Sequence, residues 1–194
     1  MTRRLPAPIG RSLTAASLIA LAQIILAAPA SAEVVSSTAD GFVLRYETSL
    51  ESTPDDAWVA VGEVGRWWNG AHTYSGSGAN LTLPLEVGAC FCEALADGTI
   101  FEHGRVTVAD PGTGLLLDAP LGPLEGKATK AQWSIGWTGE NRGLTLVMTY
   151  VVQGPGLGAL AGPVDGVMGD QFARYAHYVE YGETIDDPET SETP

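Results

Sequence analysis

The sequence is poor in positively charged residues. Ten lysines and arginines stand against 23 acidic residues, and three of the ten precede residue 33, so the rest of the chain has a formal charge of −16. A surface with that charge repels nucleic acids and anionic membranes. We therefore expect no nucleic-acid partner, and we expect neutral, apolar or cationic ligands rather than phosphorylated ones.

Long apolar runs are absent after the N-terminal segment. The one run covers residues 13–28, follows Arg3, Arg4 and Arg11, and is followed by Ala-Ser-Ala at 30–32. This arrangement is typical of a secretory signal peptide, and 16 residues are too few for a membrane span, which needs about 20. The sequence predicts a signal peptide over residues 1–32, a periplasmic or secreted protein, and no stable membrane insertion.

Cysteine is also scarce, with Cys90 and Cys92 alone. An exported chain can pair its cysteines, but two residues apart in one strand they lie near the upper distance limit for a disulfide. A structural bridge inside one strand is therefore not expected. Together with His103 the two thiols could form a soft metal site or a redox pair. A zinc site would need His72 as a fourth ligand, and nothing in the spacing requires it, so no metal or cofactor is expected.

Two common catalytic and nucleotide-binding signatures are missing. The glycine-rich segment 154–162 lies between a predicted strand and a predicted helix, but it lacks the Gly-Lys-Ser/Thr ending and does not match G-x-G-x-x-G. Ser75 lacks the G-x-S-x-G context of a nucleophile elbow. Neither nucleotide binding nor serine-hydrolase chemistry is expected.

The chain after the signal peptide has 162 residues, enough for one domain with a real core. We expect a polar leader over residues 33–40, a folded domain over 41–181 and a disordered acidic tail over 182–194. In the folded domain, Thr53 is a good N-cap and Pro54 suits the first position of a helix. The predicted strands are 41–50, 80–85, 89–94, 100–109, 115–118, 127–138 and 144–152, and the predicted helices are one from Pro54, a short one at 66–68 and a long one at 163–181.

Residues 53–58, the pair Trp67 and Trp68, the segment 90–93 and the closing helix together resemble the START-like superfamily, also called SRPBCC. Its members include lipid-transfer START domains, polyketide cyclases and chaperone-ATPase-activator homologues. The combination of Trp67 and Trp68 with residues 72–76 and 90–93 looks like an exported bacterial branch of this superfamily. The resemblance covers residues 41–181. It implies an α+β helix-grip fold, in which a curved antiparallel sheet wraps a long C-terminal helix and leaves an internal cavity for a hydrophobic ligand.

The richest candidate site is the segment 67–83, which concentrates aromatic, histidine, hydroxyl and amide side chains between a helix and a strand. Loops between rigid elements commonly carry function. Trp67 and Trp68 point about 100° apart on a helix, so one could face a pocket while the other packs in the core. The predicted ligand-binding residues are Trp67, Trp68, His72, Tyr74, Asn80, Glu93, His103, Met168 and Phe172.

The orientation of Glu93 and His103 depends on the hairpin between them. If Asp97-Gly98 forms a two-residue type I′ turn, Glu93 pairs with Glu102 and Cys92 pairs with His103. Glu93 then lies on one face and His103 on the other, with both cysteines. A change of one residue in loop length would reverse this arrangement, so which face lines the cavity stays open.

We interpret the sequence as an exported, soluble protein that binds a small hydrophobic or amphipathic molecule in an internal cavity. One alternative is an enzyme of cyclase or dehydratase type that uses His72, Glu93 and His103 as an acid–base set. A second alternative is a protein-interaction module, which an exposed apolar patch without a cavity would indicate.

Overall fold

The computed structural model describes residues 31–185. It is an α+β helix-grip fold, as predicted, with eight strands in one antiparallel sheet curved around a C-terminal helix. The predicted signal peptide up to residue 30 and the predicted tail beyond residue 185 lie outside the described residues. The strands are β1 (Ser31–Thr38), β2 (Gly41–Leu50), β3 (Leu81–Thr82), β4 (Cys90–Ala94), β5 (Ile100–Asp110), β6 (Gly114–Asp118), β7 (Lys130–Thr138) and β8 (Leu144–Gln153). Their order in the sheet is β1-β2-β8-β7-β6-β5-β4-β3.

The strands β2, β8 and β7 form the regular half of the sheet. β2 pairs with β8 from Gly41 to Leu50, and β7 pairs with β8 from Lys130 to Thr138, without a register shift. Inward and outward positions alternate along β7 and β8, as a half-buried strand requires. The inward side chains form a sealed part of the core and include Trp133, Ile135, Leu146 and Met148.

Helix α1 (Pro54–Gly62) begins as the sequence predicts. The Thr53 hydroxyl accepts the backbone N–H of Asp56, the Asp56 carboxylate accepts the backbone N–H of Thr53, and Pro54 occupies the first turn. This reciprocal capping box satisfies two N–H groups that a helix start leaves unpaired. The short helix α2 (Val64–Trp67) follows and presents Trp67 to the core.

The long helix α3 (Ala161–Tyr181) packs against β1, β2, α1 and α2. It ends at Gly182, whose positive φ of 68° suits a left-handed C-cap. Near its N-terminus, Gly162 and Gly166 have no atom close to where a β-carbon would lie. Within residues 31–185, no helix is both long and apolar enough to cross a bilayer.

Two strands differ from the expectation. The segment assigned to a polar leader forms most of β1, which pairs with β2 along its length. The predicted strand 80–85 is reduced to Leu81 and Thr82, which pair with Glu93 and Cys92 of β4. Pro84 explains the early end, because proline has no N–H to donate to a sheet.

The hairpin of β4 and β5 contains a β-bulge and a loop one residue longer than predicted. Leu95 N–H donates to Thr99 O and Gly98 N–H donates to Leu95 O, so three residues, 96–98, form the loop. Of Asp97 and Gly98, Gly98 alone has a positive φ, so the type I′ prediction is wrong. Glu93 now pairs with Phe101, and both Glu93 and His103 face the interior.

His103 is the extra residue of that bulge. Phe91 pairs with Gly104 and Cys92 pairs with Glu102, which leaves His103 opposite no single partner. Bulges bend a strand and redirect side chains, often beside functional sites. Here the bulge directs the His103 side chain inward, where it is 8% exposed.

Cys90 and Cys92 are joined by a disulfide, so the expectation of no bridge within one strand is wrong. Two residues of a regular strand advance about 6.5 Å, but their Cα atoms here are 5.3 Å apart, within the usual disulfide range. The irregularity opposite His103 falls between Phe91 and Cys92, and no residue in this segment indicates it. The bridge lies on the outward face, because the neighbouring Phe91 and Glu93 point inward.

Candidate functional site

A cavity of about 290 Å³ lies between α3 and the bulged half of the sheet. Its wall is mainly apolar, and no lysine, arginine, aspartate or glutamate lines it. A wider depression of about 530 Å³ lies elsewhere, on the surface beside the ends of β1, β2 and β8. The inner cavity is lined by Trp68, His72, Thr73, Tyr74, Leu81, Phe91, His103, Leu121, Gly122, Pro123, Tyr150, Leu160, Pro163, Val164, Val167 and Met168.

The loop after α2, residues 68–80, forms one side of the cavity mouth, where His72 and Tyr74 are exposed. We call it the mouth loop. Asn69 fixes this loop to α3. Its backbone N–H donates to Gln171 Oε1 over 2.9 Å, and its side-chain amide donates to Asp170 Oδ2 over 2.7 Å. The loop is thus held by hydrogen bonds to a long helix, which gives the mouth a defined position.

A buried carboxylate and an imidazole form the polar centre of the site. Glu93 is 0% exposed, and its Oε2 lies 2.7 Å from Nε2 of His103. The same carboxylate accepts the backbone N–H groups of Tyr74 and Ser75. The mouth loop, β4 and β5 are therefore joined at one buried group, which lies behind His103 as seen from the cavity.

Burial, the largest single influence, raises the pKa of Glu93, but the hydrogen bonds from Ser75, Tyr74 and His103 together outweigh it. The pKa of Glu93 therefore lies below its ordinary value of 4.5. Its carboxylate is ionised at neutral pH, and an ionised carboxylate only accepts hydrogen bonds. Nε2 of His103 consequently carries the proton in this pair.

The other ring nitrogen of His103 is available to a ligand. In residues 31–185, the indole nitrogens of Trp133 and Trp137 are the buried side-chain polar atoms sealed without a partner. Nδ1 of His103 is not sealed in this way, and it has no hydrogen-bond partner among the described residues. Because His103 lines the cavity, Nδ1 is the ring atom that can contact a ligand there, and in a neutral imidazole this atom is a hydrogen-bond acceptor.

Aromatic rings fix the orientation of the imidazole. Tyr74 stacks on His103 with ring centroids 5.7 Å apart, and the rings of Phe91 and Phe101 lie 5.1 and 4.9 Å away. Burial raises the pKa of the Tyr74 phenol, with a further contribution from the negative charges of Glu125 and Glu93. Tyr74 thus remains a neutral hydroxyl at the mouth.

Tyr150 closes the cavity from the sheet. Its hydroxyl donates to Ala119 O over 2.7 Å and accepts the backbone N–H of Leu121 over 3.1 Å. Burial raises the pKa of this phenol well above its usual range. The hydroxyl proton is already donated to Ala119 O, so Tyr150 contributes shape to the cavity and fixes the loop at Leu121.

The structure separates the predicted site residues into three groups. Those on the cavity wall are Trp68, His72, Tyr74, His103 and Met168. Glu93 lies directly behind His103. The remaining three, Trp67, Asn80 and Phe172, do not line the cavity.

Each of those three has a different setting. The Trp67 indole donates to Ala60 O over 2.7 Å and packs on Tyr175. Phe172 stacks on Tyr46 in the core. Asn80 is exposed on a short 3₁₀ turn, Gly78–Asn80.

The sequence reasoning missed Asn69, Tyr150 and Gln171. Asn69 directly follows the two tryptophans, and asparagine is a common residue at helix and turn starts. Tyr150 occupies an inward position of a clearly alternating strand, which predicted its burial but not its place on the cavity wall. Gln171, 0% exposed on α3, was detectable as a polar residue on an otherwise apolar helix face.

A metal site at the two cysteines is not present. Cys90 and Cys92 are bonded to each other on the outer face, whereas His103 points inward. In residues 31–185, no three histidine, cysteine, aspartate or glutamate side chains group as metal ligands would.

Comparison with known proteins identifies the fold and not a family. No family model and no curated protein matches the chain. Among solved structures, an uncharacterised protein from Rhizobium leguminosarum matches 79% of this chain and 99% of its own length, with 17% identity and a TM-score of 0.53. CalU16 from Micromonospora echinospora matches 80% of this chain and 88% of its own length, with 12% identity and a TM-score of 0.52.

DynU16, from the dynemicin biosynthetic locus, is 24% identical over 73% of this chain, with a TM-score of 0.49. The matched part covers 48% of DynU16, so this chain spans about half the length of that protein. At these identities the neighbours establish the architecture alone. This chain is similar to proteins with the helix-grip fold, and its chemistry has to be argued from its own residues.

Proposed function

We propose that this protein binds a small, neutral, largely apolar molecule that carries one hydrogen-bond donor. The observation that carries the proposal is the free Nδ1 of His103 in the wall of an apolar cavity. Ligand pockets typically combine apolar walls with a few placed polar groups. The apolar wall supplies affinity through burial, and the acceptor on His103 orients the ligand.

The size and charge of the cavity limit the ligand. A volume of about 290 Å³ lies at the lower end of the roughly 300–1,000 Å³ of small-molecule pockets. The wall carries no lysine or arginine to bind a phosphate or carboxylate, and the chain as a whole is strongly acidic. A neutral ligand, small enough to fit beside α3, agrees with both features.

We place the chain in the START-like superfamily as an exported member. The helix-grip fold, the cavity under α3 and the capped α1 support the superfamily. The basic N-terminus and apolar run support export. The Cys90–Cys92 disulfide adds support, since disulfides persist mainly in oxidising compartments such as the periplasm or the exterior.

A second candidate function is general-base catalysis of a cyclisation or dehydration in the same cavity. It is favoured by the Glu93–His103 pair, in which a buried carboxylate orients a histidine whose other nitrogen faces the ligand space. This is the arrangement of a base held by a second group. His72 lines the same cavity and would act as the proton donor.

The test introduces a large side chain into the cavity and compares its effect on ligand binding with that of the same substitution at the surface. Val167 lines the cavity, whereas Val59 on α1 is 59% exposed. The protein is titrated with N-phenyl-1-naphthylamine, a neutral fluorescent probe with one N–H. We expect Val167→Trp to weaken probe binding at least tenfold and Val59→Trp to leave it unchanged.

Equal binding by Val167→Trp and the unaltered protein, or no binding by the unaltered protein, would contradict the proposal. The two candidate functions separate at His103. If the protein is a carrier, His103→Gln should change the affinity for the ligand, and no turnover is expected before or after the substitution. If it is an enzyme, the same substitution should abolish turnover while the substrate still binds.

A further inference from the structure

The Cys90–Cys92 disulfide has features that a purely structural bridge does not need. It closes a loop with a single residue between its ends, and the stabilisation that a disulfide gives through the unfolded chain grows with loop length. Both cysteines are half-buried on the outward face rather than sealed in the core. The bridge therefore contributes little to stability and remains open to a reagent.

The position of the bridge near the edge of the sheet also affects how a reagent can reach it, because β4 lies next to the edge strand β3. β3 covers β4 at Cys92 and Glu93, through Leu81 and Thr82. Within residues 31–185, no strand pairs with Cys90 on that side.

The residues opposite the bridge make its two sulfurs unequal. Cys90 pairs with Arg105, and Cys92 pairs with Glu102. Directly opposite residues of an antiparallel pair lie on the same face, with β-carbons about 5 Å apart. Arg105 and Glu102 form an ion pair with each other, and the Arg105 guanidinium is the cation opposite Cys90, where a cation favours a thiolate. Arg105 is itself fixed by hydrogen bonds to Glu102 and to Gly88 O.

We propose that Cys90 and Cys92 form a thiol–disulfide exchange site that accepts two electrons from a dithiol, and that opening it releases the bulge that directs His103 into the cavity. The exchange site does not depend on any ligand. Its effect on the cavity rests on the function proposed above, but the position of His103 can be measured without a ligand.

The exchange proceeds in two steps. A thiolate of the dithiol attacks Sγ of Cys92, the Cys90–Cys92 bond breaks, and Cys90 leaves as a thiolate next to Arg105. The second thiolate of the dithiol attacks the mixed disulfide at the dithiol's own sulfur and releases Cys92, which takes up a proton. The dithiol is oxidised to a disulfide, and the protein gains two electrons.

The coupling to the cavity follows from the chain order of β4. Phe91, between the cysteines, lines the cavity and contacts His103, Trp68 and Trp133. Glu93, next after Cys92, holds Nε2 of His103. The bridge holds the Cα atoms of Cys90 and Cys92 5.3 Å apart, where β4 faces the bulge. Opening the bridge allows these Cα atoms to move to the spacing of a regular strand, about 6.5 Å.

The first measurement is the rate at which dithiothreitol reduces the oxidised full-length chain, folded in buffer and unfolded in urea. For an exchange site we expect the folded rate to be no more than tenfold below the unfolded rate. A folded rate more than tenfold below the unfolded one means that the fold shields the bridge, and it would overturn the proposal.

Two arginine variants test the inequality of the sulfurs. Arg105→Gln should slow reduction of the folded protein at least threefold, and Arg45→Gln, which alters another exposed ion pair on β2, should not. Neither variant should change the rate in urea. Equal folded rates for both variants would refute Cys90 as the leaving thiolate.

The coupling has its own readout. Imidazole nitrogen shifts of His103 are compared by NMR between the oxidised chain and the reduced chain, with His177 near the end of α3 as an internal control. We expect a shift at His103 and none at His177. An unchanged His103 would reject the coupling, whereas failure of the ligand proposal alone would leave all three measurements as expected.

Discussion

The two halves of the sheet differ in the regularity of their strand pairing and in the polarity of their interior. Around β7, β8 and β2 the pairing runs without interruption and the interior is filled by apolar side chains. Around β3, β4 and β5 the pairing is irregular: β3 has two residues, and a bulge interrupts the β4–β5 ladder. This half buries the carboxylate of Glu93 and the imidazole of His103. The regular half supplies the packed core, and the irregular half holds a cavity and a polar centre.

The largest expected effect comes from equal truncations in the two halves. Leu146 (0% exposed) lies in the regular half, and Leu81 (4% exposed) lines the cavity in the irregular half. A buried Leu→Ala substitution costs roughly 2–5 kcal/mol. We expect Leu146→Ala to lower the free energy of unfolding by about 4 kcal/mol and Leu81→Ala by about half as much, because Leu81 already lacks neighbours on its cavity side.

Urea unfolding of both variants measures this difference, with Val59→Ala at an exposed position of α1 as the control. Equal losses for Leu146→Ala and Leu81→Ala would show that the irregular half is packed as tightly as the regular one.

A smaller effect is expected when the buried carboxylate is neutralised. In Glu93→Gln, one end of the new amide is a donor that faces N–H groups, so hydrogen bonds to Tyr74, Ser75 or His103 are lost. We expect the free energy of unfolding at pH 7 to fall by roughly 1–3 kcal/mol. The exposed Glu86→Gln is the matched control and should change it by less than about 0.5 kcal/mol.

The same pair of variants predicts a pH dependence. The pKa of Glu93 is lowered in the folded protein, so its contribution is fully present above the unfolded value near 4.5 and is lost as the pH falls through the folded pKa. The difference in unfolding free energy between the unaltered chain and Glu93→Gln should shrink below pH 4.5. A difference that stays constant from pH 7 to pH 3 would mean that the carboxylate is not the group responsible.

The smallest expected effect is at β3. The Thr82 hydroxyl lies 3.5 Å from Cys92 O, at the limit of a hydrogen bond. Thr82→Val should therefore change the free energy of unfolding by less than about 0.5 kcal/mol in urea unfolding. A loss above 1 kcal/mol would show that the short strand stabilises the irregular half more than its geometry indicates.

The contrast between the halves also separates what the sequence could predict from what it could not. Alternation along β7 and β8 and the Thr53–Pro54 start of α1 are local signals, and the structure confirms them. The inward positions of Glu93 and His103 depend on a three-residue loop and a bulge. Since side chains alternate with period two, one added residue exchanges the faces, and no residue of 90–105 marks where that residue enters.

The disulfide and β1 were missed for related reasons. The distance between Cys90 and Cys92 was judged from a regular strand, whereas β4 is irregular between Phe91 and Cys92 and its cysteine Cα atoms are 5.3 Å apart. Residues 31–38 form a strand because they pair with β2, and this pairing is not visible in the sequence of residues 31–38 themselves. Tertiary contacts, rather than local propensity, decide such edge strands.

The glycines of α3 bear on how a ligand would enter and leave. Gly162 and Gly166 lie in the part of the helix that covers the cavity, and no packed neighbour requires a glycine at either position. Each weakens the helix by about 1 kcal/mol relative to alanine. The first turns of α3 therefore unwind at a lower free-energy cost than they would with alanine at these two positions, and fraying of this helix end, against the hydrogen bonds from Tyr46 to Asp165, would open the cavity.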